Sequence, residues 1–175
     1  MRRTIALGTA GLALVALGVL ARRLARLEPV LVQGDSMRPT LRPGQRVAVG
    51  PLDRPPRRGD LVVLQGPGRE VVKRVVGLPG ERVRLVAGRL QADGVAVAEP
   101  YLAGAAGGDL DLRLGGDQYL VLGDNRAAST DGRDFGPVPA RALTARVRFA
   151  YWPPRRLSDP ARMPKSIPVG RTWGR

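Results

Sequence analysis

The chain has 175 residues, enough for one domain with a small insertion, and 43% of them are hydrophobic; with only 4% aromatic, the core must be Val, Leu and Ala. It holds no His and no Cys, which excludes disulfides, thiol nucleophiles, Cys-ligated zinc and a Ser-His-Asp triad, and leaves proton transfer near neutral pH to a carboxylate, a tyrosine or a lysine of depressed pKa. A formal net charge of +14 suits nucleic acid, anionic lipid or acidic partners, and equally an Arg-rich composition with no partner, because the positive charge is spread along the whole chain.

Residues 4–21, TIALGTAGLALVALGVLA, carry no charge. As a helix this stretch rises about 27 Å, close to the thickness of a bilayer core. Arg2 and Arg3 precede it, and Arg22, Arg23 and Arg26 come after it. It reads as an uncleaved membrane anchor. A secretory signal with Val19 and Ala21 before the cut, or a buried helix, are the other readings. The flanking charges nearly balance, so they do not set an orientation.

Short Val/Leu runs broken by Gly and Pro then predict strands: EPVLVQGDSM, GQRVAVG, DLVVLQG and REVVKRVV. ERVRLVAGRLQADGVAVAEP predicts a hairpin or meander with a turn at ADG. Residues 104–117 are Gly-rich and read as a loop. DQYLVLGDN predicts a strand ending in a turn, and LTARVRFAYW a late strand. No helix is predicted beyond residue 26. The expected architecture is mainly β: an anchor with its flanks over 1–26, a compact antiparallel β domain over 27–152 with a small inserted hairpin or loop over 84–117, and a Pro/Arg-rich tail over 153–175.

Three stretches could carry chemistry. Ser36 lies in VQGDSMRPTL, where Gly34 permits a tight turn and Pro39 stiffens the backbone just after the serine. A serine on such a turn has its own N–H free for an oxyanion; it can also be a plain polar turn residue. Lys73 and Lys165 are the only lysines among 29 Lys plus Arg. In an extended strand Lys73 shares its face with Val71 and Val75. Burial there would lower its pKa, a shift that arginine cannot make. A general base is one reading, and an edge lysine snorkelling to water the other. A Ser–Lys dyad needs no His: the amine takes the serine proton and the alkoxide attacks a carbonyl. A hydroxyl would then orient the amine. The third stretch, LGDNRAASTDGRDFGPV, can be a capped surface loop in which Asp131 and Arg133 pair.

Taken together, GDSMRPTL, VVKRVVGLPGERV and GDNRAASTDGRDFGPV, with EPYL at 99–102 and RFAYWPP near the end, resemble the motifs of bacterial type I signal peptidases, membrane-bound serine proteases that remove signal peptides. The resemblance spans roughly residues 30–155. It implies Ser36 as nucleophile, with its backbone N–H holding the oxyanion, and Lys73 as general base. Ser129 would orient the amine, Asp131 and Arg133 would form a supporting ion pair, and Arg74 with Asp124 another. It implies no metal and no cofactor. The substrate, the signal peptide of an exported preprotein, would add as a strand beside residues 30–35 and 70–73, with small residues one and three positions before the cut. One pass through the cytoplasmic membrane would leave the catalytic domain outside the cytoplasm.

Four departures from the family pattern stand out. Gly34 replaces a serine found in some members, so a second oxyanion donor is unassigned. Gly132 replaces a serine, Glu81 an aspartate, and the short segment between Lys73 and Asp124 implies a second β region reduced to a hairpin. A pilin-processing Ser–Lys peptidase of conjugation systems is the rival on the same fold. A basic, membrane-tethered binding module is the rival from another class, but the chain lacks the aromatic platforms of nucleic-acid binders, and no specific nucleic acid is expected.

Overall fold

The computed structural model describes residues 15–19, 21, 24–66, 69–102 and 107–155. Most of the expected anchor and most of the tail lie outside them. Among the described residues no helix is long and apolar enough to cross a membrane.

Among the described residues, twelve strands form two antiparallel sheets. The larger runs β1 (Glu28–Leu31), β2 (Arg46–Gly50), β11 (Leu143–Trp152), β3 (Leu61–Gly66), β4 (Arg69–Gly77), β9 (Gln118–Leu122), β10 (Val138–Pro139), with β12 (Pro154–Arg155) paired to β11. The smaller runs β7 (Val95–Ala96), β6 (Arg89–Ala92), β5 (Arg82–Val86), β8 (Leu110–Arg113). Each predicted Val/Leu run is a strand. The segment expected as a hairpin is the β5–β6 pair, but β7 and β8 extend it to four strands. Leu110–Arg113 lies within the stretch expected as a Gly-rich loop. It pairs with β5 because Leu112 sits opposite Val83, where both feed the cluster around Leu85, Leu90 and Leu114.

The pleat sorts the larger sheet into two faces. One carries Leu61, Val63 and Val72, packed on Val32, Met37, Leu41, Val47 and Val49. The other carries Val62, Leu64, Val71, Val75 and Val121. Lys73 pairs with Val62 across the ladder and lies between Val71 and Val75, so it falls on the second face. Arg74, opposite Leu61 and Leu122, falls on the first. Two neighbours in sequence thus serve opposite sides of one sheet.

β9 pairs with β4 only from Arg74 onward. Among the described residues, one edge of β4 over residues 69–73 is therefore unpaired. Among the described strands β1 ends the sheet, so its outer edge is unpaired there as well. Both edges line the same cleft, of about 1060 Å³.

A candidate active site at the unpaired edge of β4

Ser36 sits on the turn between β1 and β2. Gly34 has φ +75°, the left-handed value that the expected tight turn needs. Met37 and Leu41 are buried at 2% and 0% exposure and pin the turn to the core. Arg38 N–H bonds Asp35 O (3.1 Å) and Leu41 N–H bonds Met37 O (2.8 Å), which closes the turn. Among the described residues the Ser36 N–H has no hydrogen-bond partner. Ser36 and Lys73 both line the cleft.

Lys73 is 3% exposed. Burial pushes its amine below the ordinary lysine pKa; the Asp131 carboxylate pulls it partly back, and Arg133 opposes that pull. Its Nζ donates to Ser129 Oγ at 2.8 Å. A neutral amine that donates one hydrogen in this way keeps its lone pair for another partner.

The loop after β9 brings the rest together. Asp131 is fully buried and accepts from Gly123 N–H at 2.9 Å and from Arg133 Nε at 2.9 Å. Burial raises its pKa, but Arg133 and the Gly123 N–H outweigh this, and the carboxyl stays ionised below the ordinary range. Arg133 also donates to the Arg126 and Ser129 carbonyls at 2.6 and 3.2 Å. The predicted loop contains a 3-10 turn, Arg126–Ala128, and an α-helical turn, Gly132–Phe135, the second held by Asp131 and Asp134, which cap each other's backbone N–H groups in a capping box. Gly132 has a packing cause: a Cβ there would lie 2.6 Å from Leu120 Cδ1 and 2.8 Å from Val121 O, so a serine does not fit. Glu81 is long enough to bond both Arg58 Nη2 (2.6 Å) and the Leu78 N–H (2.7 Å).

On the other face of β4, Arg74 and Asp124 form a buried bidentate pair at 2.7 and 2.6 Å, with exposures of 0% and 1%. Arg74 also donates to Gly59 O at 2.8 Å, and its guanidinium stacks 4.0 Å from the Tyr101 ring. Tyr101 OH donates to Glu99 (2.6 Å), which in turn holds Arg126. Burial and the Glu99 carboxylate push the Tyr101 hydroxyl well above its usual pKa, so it stays a donor. The site residues expected from sequence are therefore gathered in two groups. Lys73, Ser129, Asp131 and Arg133 are joined by hydrogen bonds or packed together, and Arg74 pairs with Asp124. Ser36 shares the cleft with Lys73 of the first group but makes no hydrogen bond to it. Among the described residues no group of three carboxylates is arranged to hold a metal ion.

Sequence reasoning missed three contributors. Asn125 N–H bonds Ser36 O at 2.9 Å, and its Nδ2 bonds Asp35 O at 3.2 Å. Thr40 bonds Asp124. Gly123 lies where a Cβ would come within 2.6 Å of both Ser36 O and Ser129 Cβ. Only its place inside the GDN stretch hinted at a role. Gly123→Ala is expected to push Ser36 and Ser129 apart and to lower kcat about 100-fold, since a 1 Å misplacement has that cost. A variant with wild-type kcat would show that the loop absorbs the methyl group elsewhere.

The family described as "Signal peptidase, peptidase S26" matches residues 3–152. Signal peptidase I of Bacillus caldolyticus is 39% identical over 150 residues, covering 75% of this chain and 82% of that protein. Signal peptidase I of Leptolyngbya laminosa is 35% identical over 170 residues, covering 86% and 80%. The crystal structure of a signal peptidase I from Enterococcus faecalis V583 is similar at 32% identity and a TM-score of 0.48, covering 51% of this chain and 94% of that one. The family match spans most of the chain, and the Bacillus relative exceeds 30% identity across three quarters of it: this protein belongs to the signal peptidase family, peptidase S26.

Proposed function

We propose that the protein is a membrane-bound serine endopeptidase that removes amino-terminal signal peptides from exported preproteins, cutting after small residues. Ser36 is the nucleophile and Lys73 its general base. The observation that carries this reading is Lys73: one of two lysines in an arginine-rich chain, 3% exposed, with a lowered pKa, in the cleft that also holds Ser36.

In this mechanism the neutral Lys73 Nζ takes the proton of Ser36 Oγ as the oxygen attacks the scissile carbonyl. The unpartnered Ser36 N–H donates to the oxyanion. The amine then returns the proton to the leaving amino group, leaving an acyl-serine. A water, deprotonated by the same amine, releases the acyl group. Ser129 holds Nζ in place, and Asp131 with Arg133 holds the Ser129 loop. The substrate lies as a strand between the unpaired edges of β1 and β4. Its side chains alternate with period two. The residues one and three before the cut therefore share a side, the one formed by Val30, Val32, Met37 and Val72.

Residues 4–21 anchor the chain in the cytoplasmic membrane, with the catalytic domain outside the cytoplasm. Phe149, Tyr151 and Trp152 support lipid contact: they are exposed at 44%, 38% and 65%, and aromatic residues favour the membrane–water boundary. Residues 153–175 form the tail, and the small insertion over 84–117 is an accessory region of the one catalytic domain.

The test is cleavage of a signal-bearing preprotein in liposomes. Wild type is expected to cut after a small residue and Ser36→Ala to leave the preprotein intact. Cleavage by Ser36→Ala at the wild-type rate would remove Ser36 from the mechanism.

A further inference from the structure

We propose that Thr40 is the positioning residue that sets Ser36 against Lys73; this rests on the Ser36–Lys73 reading above. The need for such a residue comes from the topology. Ser36 follows β1 and Lys73 lies in β4, and β2, β11 and β3 stand between those strands in the sheet. No ladder hydrogen bond connects the two elements, so the register of the sheet does not set their separation.

Thr40 supplies a direct tie. Its hydroxyl donates to Asp124 Oδ2 and accepts from Arg74 Nη2 at 3.2 Å. One oxygen thus bonds both members of the buried ion pair. Arg74 is the chain neighbour of Lys73. Asp124 is the chain neighbour of Asn125, whose N–H holds the Ser36 carbonyl at 2.9 Å. Three segments meet at this hydroxyl: the nucleophile turn, the strand of the base and the loop after β9. The tie is stiff for two reasons. Its partners are charged and out of water, where such hydrogen bonds are strong. The turn carrying it is closed by Leu41 N–H to Met37 O at 2.8 Å and anchored by two buried side chains, so a shift at Thr40 moves Ser36.

Only a hydroxyl can donate and accept at one atom here. Valine keeps the shape and does neither. Serine keeps the hydroxyl and loses a methyl group.

The experiment compares the full-length wild type with Thr40→Val, Thr40→Ser and Thr40→Ala in detergent, measuring kcat, KM, the pH profile and the melting temperature. Thr40→Val is expected to lower kcat about 100-fold, with KM within about twofold and the acid limb of the pH profile in place. Thr40→Ser is expected to stay within about threefold of wild type. Thr40→Ala, read in the same way, serves if Thr40→Val does not fold. A folded Thr40→Val with kcat near wild type overturns the proposal. So does Thr40→Ser as inactive as Thr40→Val, because the methyl group would then be what matters, and so does failure of both Thr40→Val and Thr40→Ala to fold. Wild-type cleavage by Ser36→Ala would instead strike the reading beneath it.

Discussion

Lys73→Arg is expected to lower kcat/KM by about a thousandfold or more, the upper range for a positioned general base. The variant keeps the positive charge and nearly the same length, but guanidinium does not give up its proton at any working pH. The wild-type rate should fall on acidification through the lowered lysine pKa, because only the free amine can accept the serine proton. A profile flat on its acid side, or an active arginine variant, would make Lys73 a bystander. Arginine also brings a permanent charge into a buried position, so Lys73→Met provides the folded comparison: equally inactive, and apolar among Val62, Val71 and Val75.

The same lysine makes a prediction about stability. Its folded-state pKa lies below its unfolded value. Between the two, the unfolded chain binds a proton that the folded chain does not, so burial of this amine costs stability there, and the cost shrinks as pH rises toward the unfolded pKa. Lys73→Met should therefore melt a few degrees above wild type at pH 7, with the difference closing in alkali. A lower melting temperature would show that the bond to Ser129 is worth more than the burial of the amine costs.

Asp124→Ala is expected to destabilise the fold by about 3–5 kcal/mol, the cost of breaking a buried ion pair from one side. Arg74 would keep its charge at 0% exposure and lose both carboxylate bonds. Thermal melts of Asp124→Ala, Arg74→Met and the double variant Arg74→Met with Asp124→Leu test this. The double variant should recover most of the loss, because two apolar side chains leave no charge uncompensated. If it is as unstable as the single variants, Thr40, Gly59 and Tyr101 demand the pair itself. Activity should stay low in the double variant, since Thr40 would have lost the groups it bonds.

Much of the candidate site was legible in the amino-acid sequence through composition and local period. The absence of His and Cys left a Ser–Lys arrangement as the nucleophilic chemistry open to a lysine base. The two-residue alternation in VVKRVV put Lys73 between two valines and Arg74 on the other face. The Val/Leu runs marked the strands, and three ordered motifs marked the family. Other features emerged only on folding. Thr40 reaches an aspartate 84 positions away, Gly123 leaves room between Ser36 and Ser129, and β1 and β4 present unpaired edges to one cleft. LDLR pairs with β5, and the Asp131–Asp134 capping box makes a helical turn of the last motif. Local pattern reports which face a side chain takes, because the pleat alone sets that. It does not report which distant segment meets that face, because sheet order and loop closure arise from packing between residues far apart in the chain.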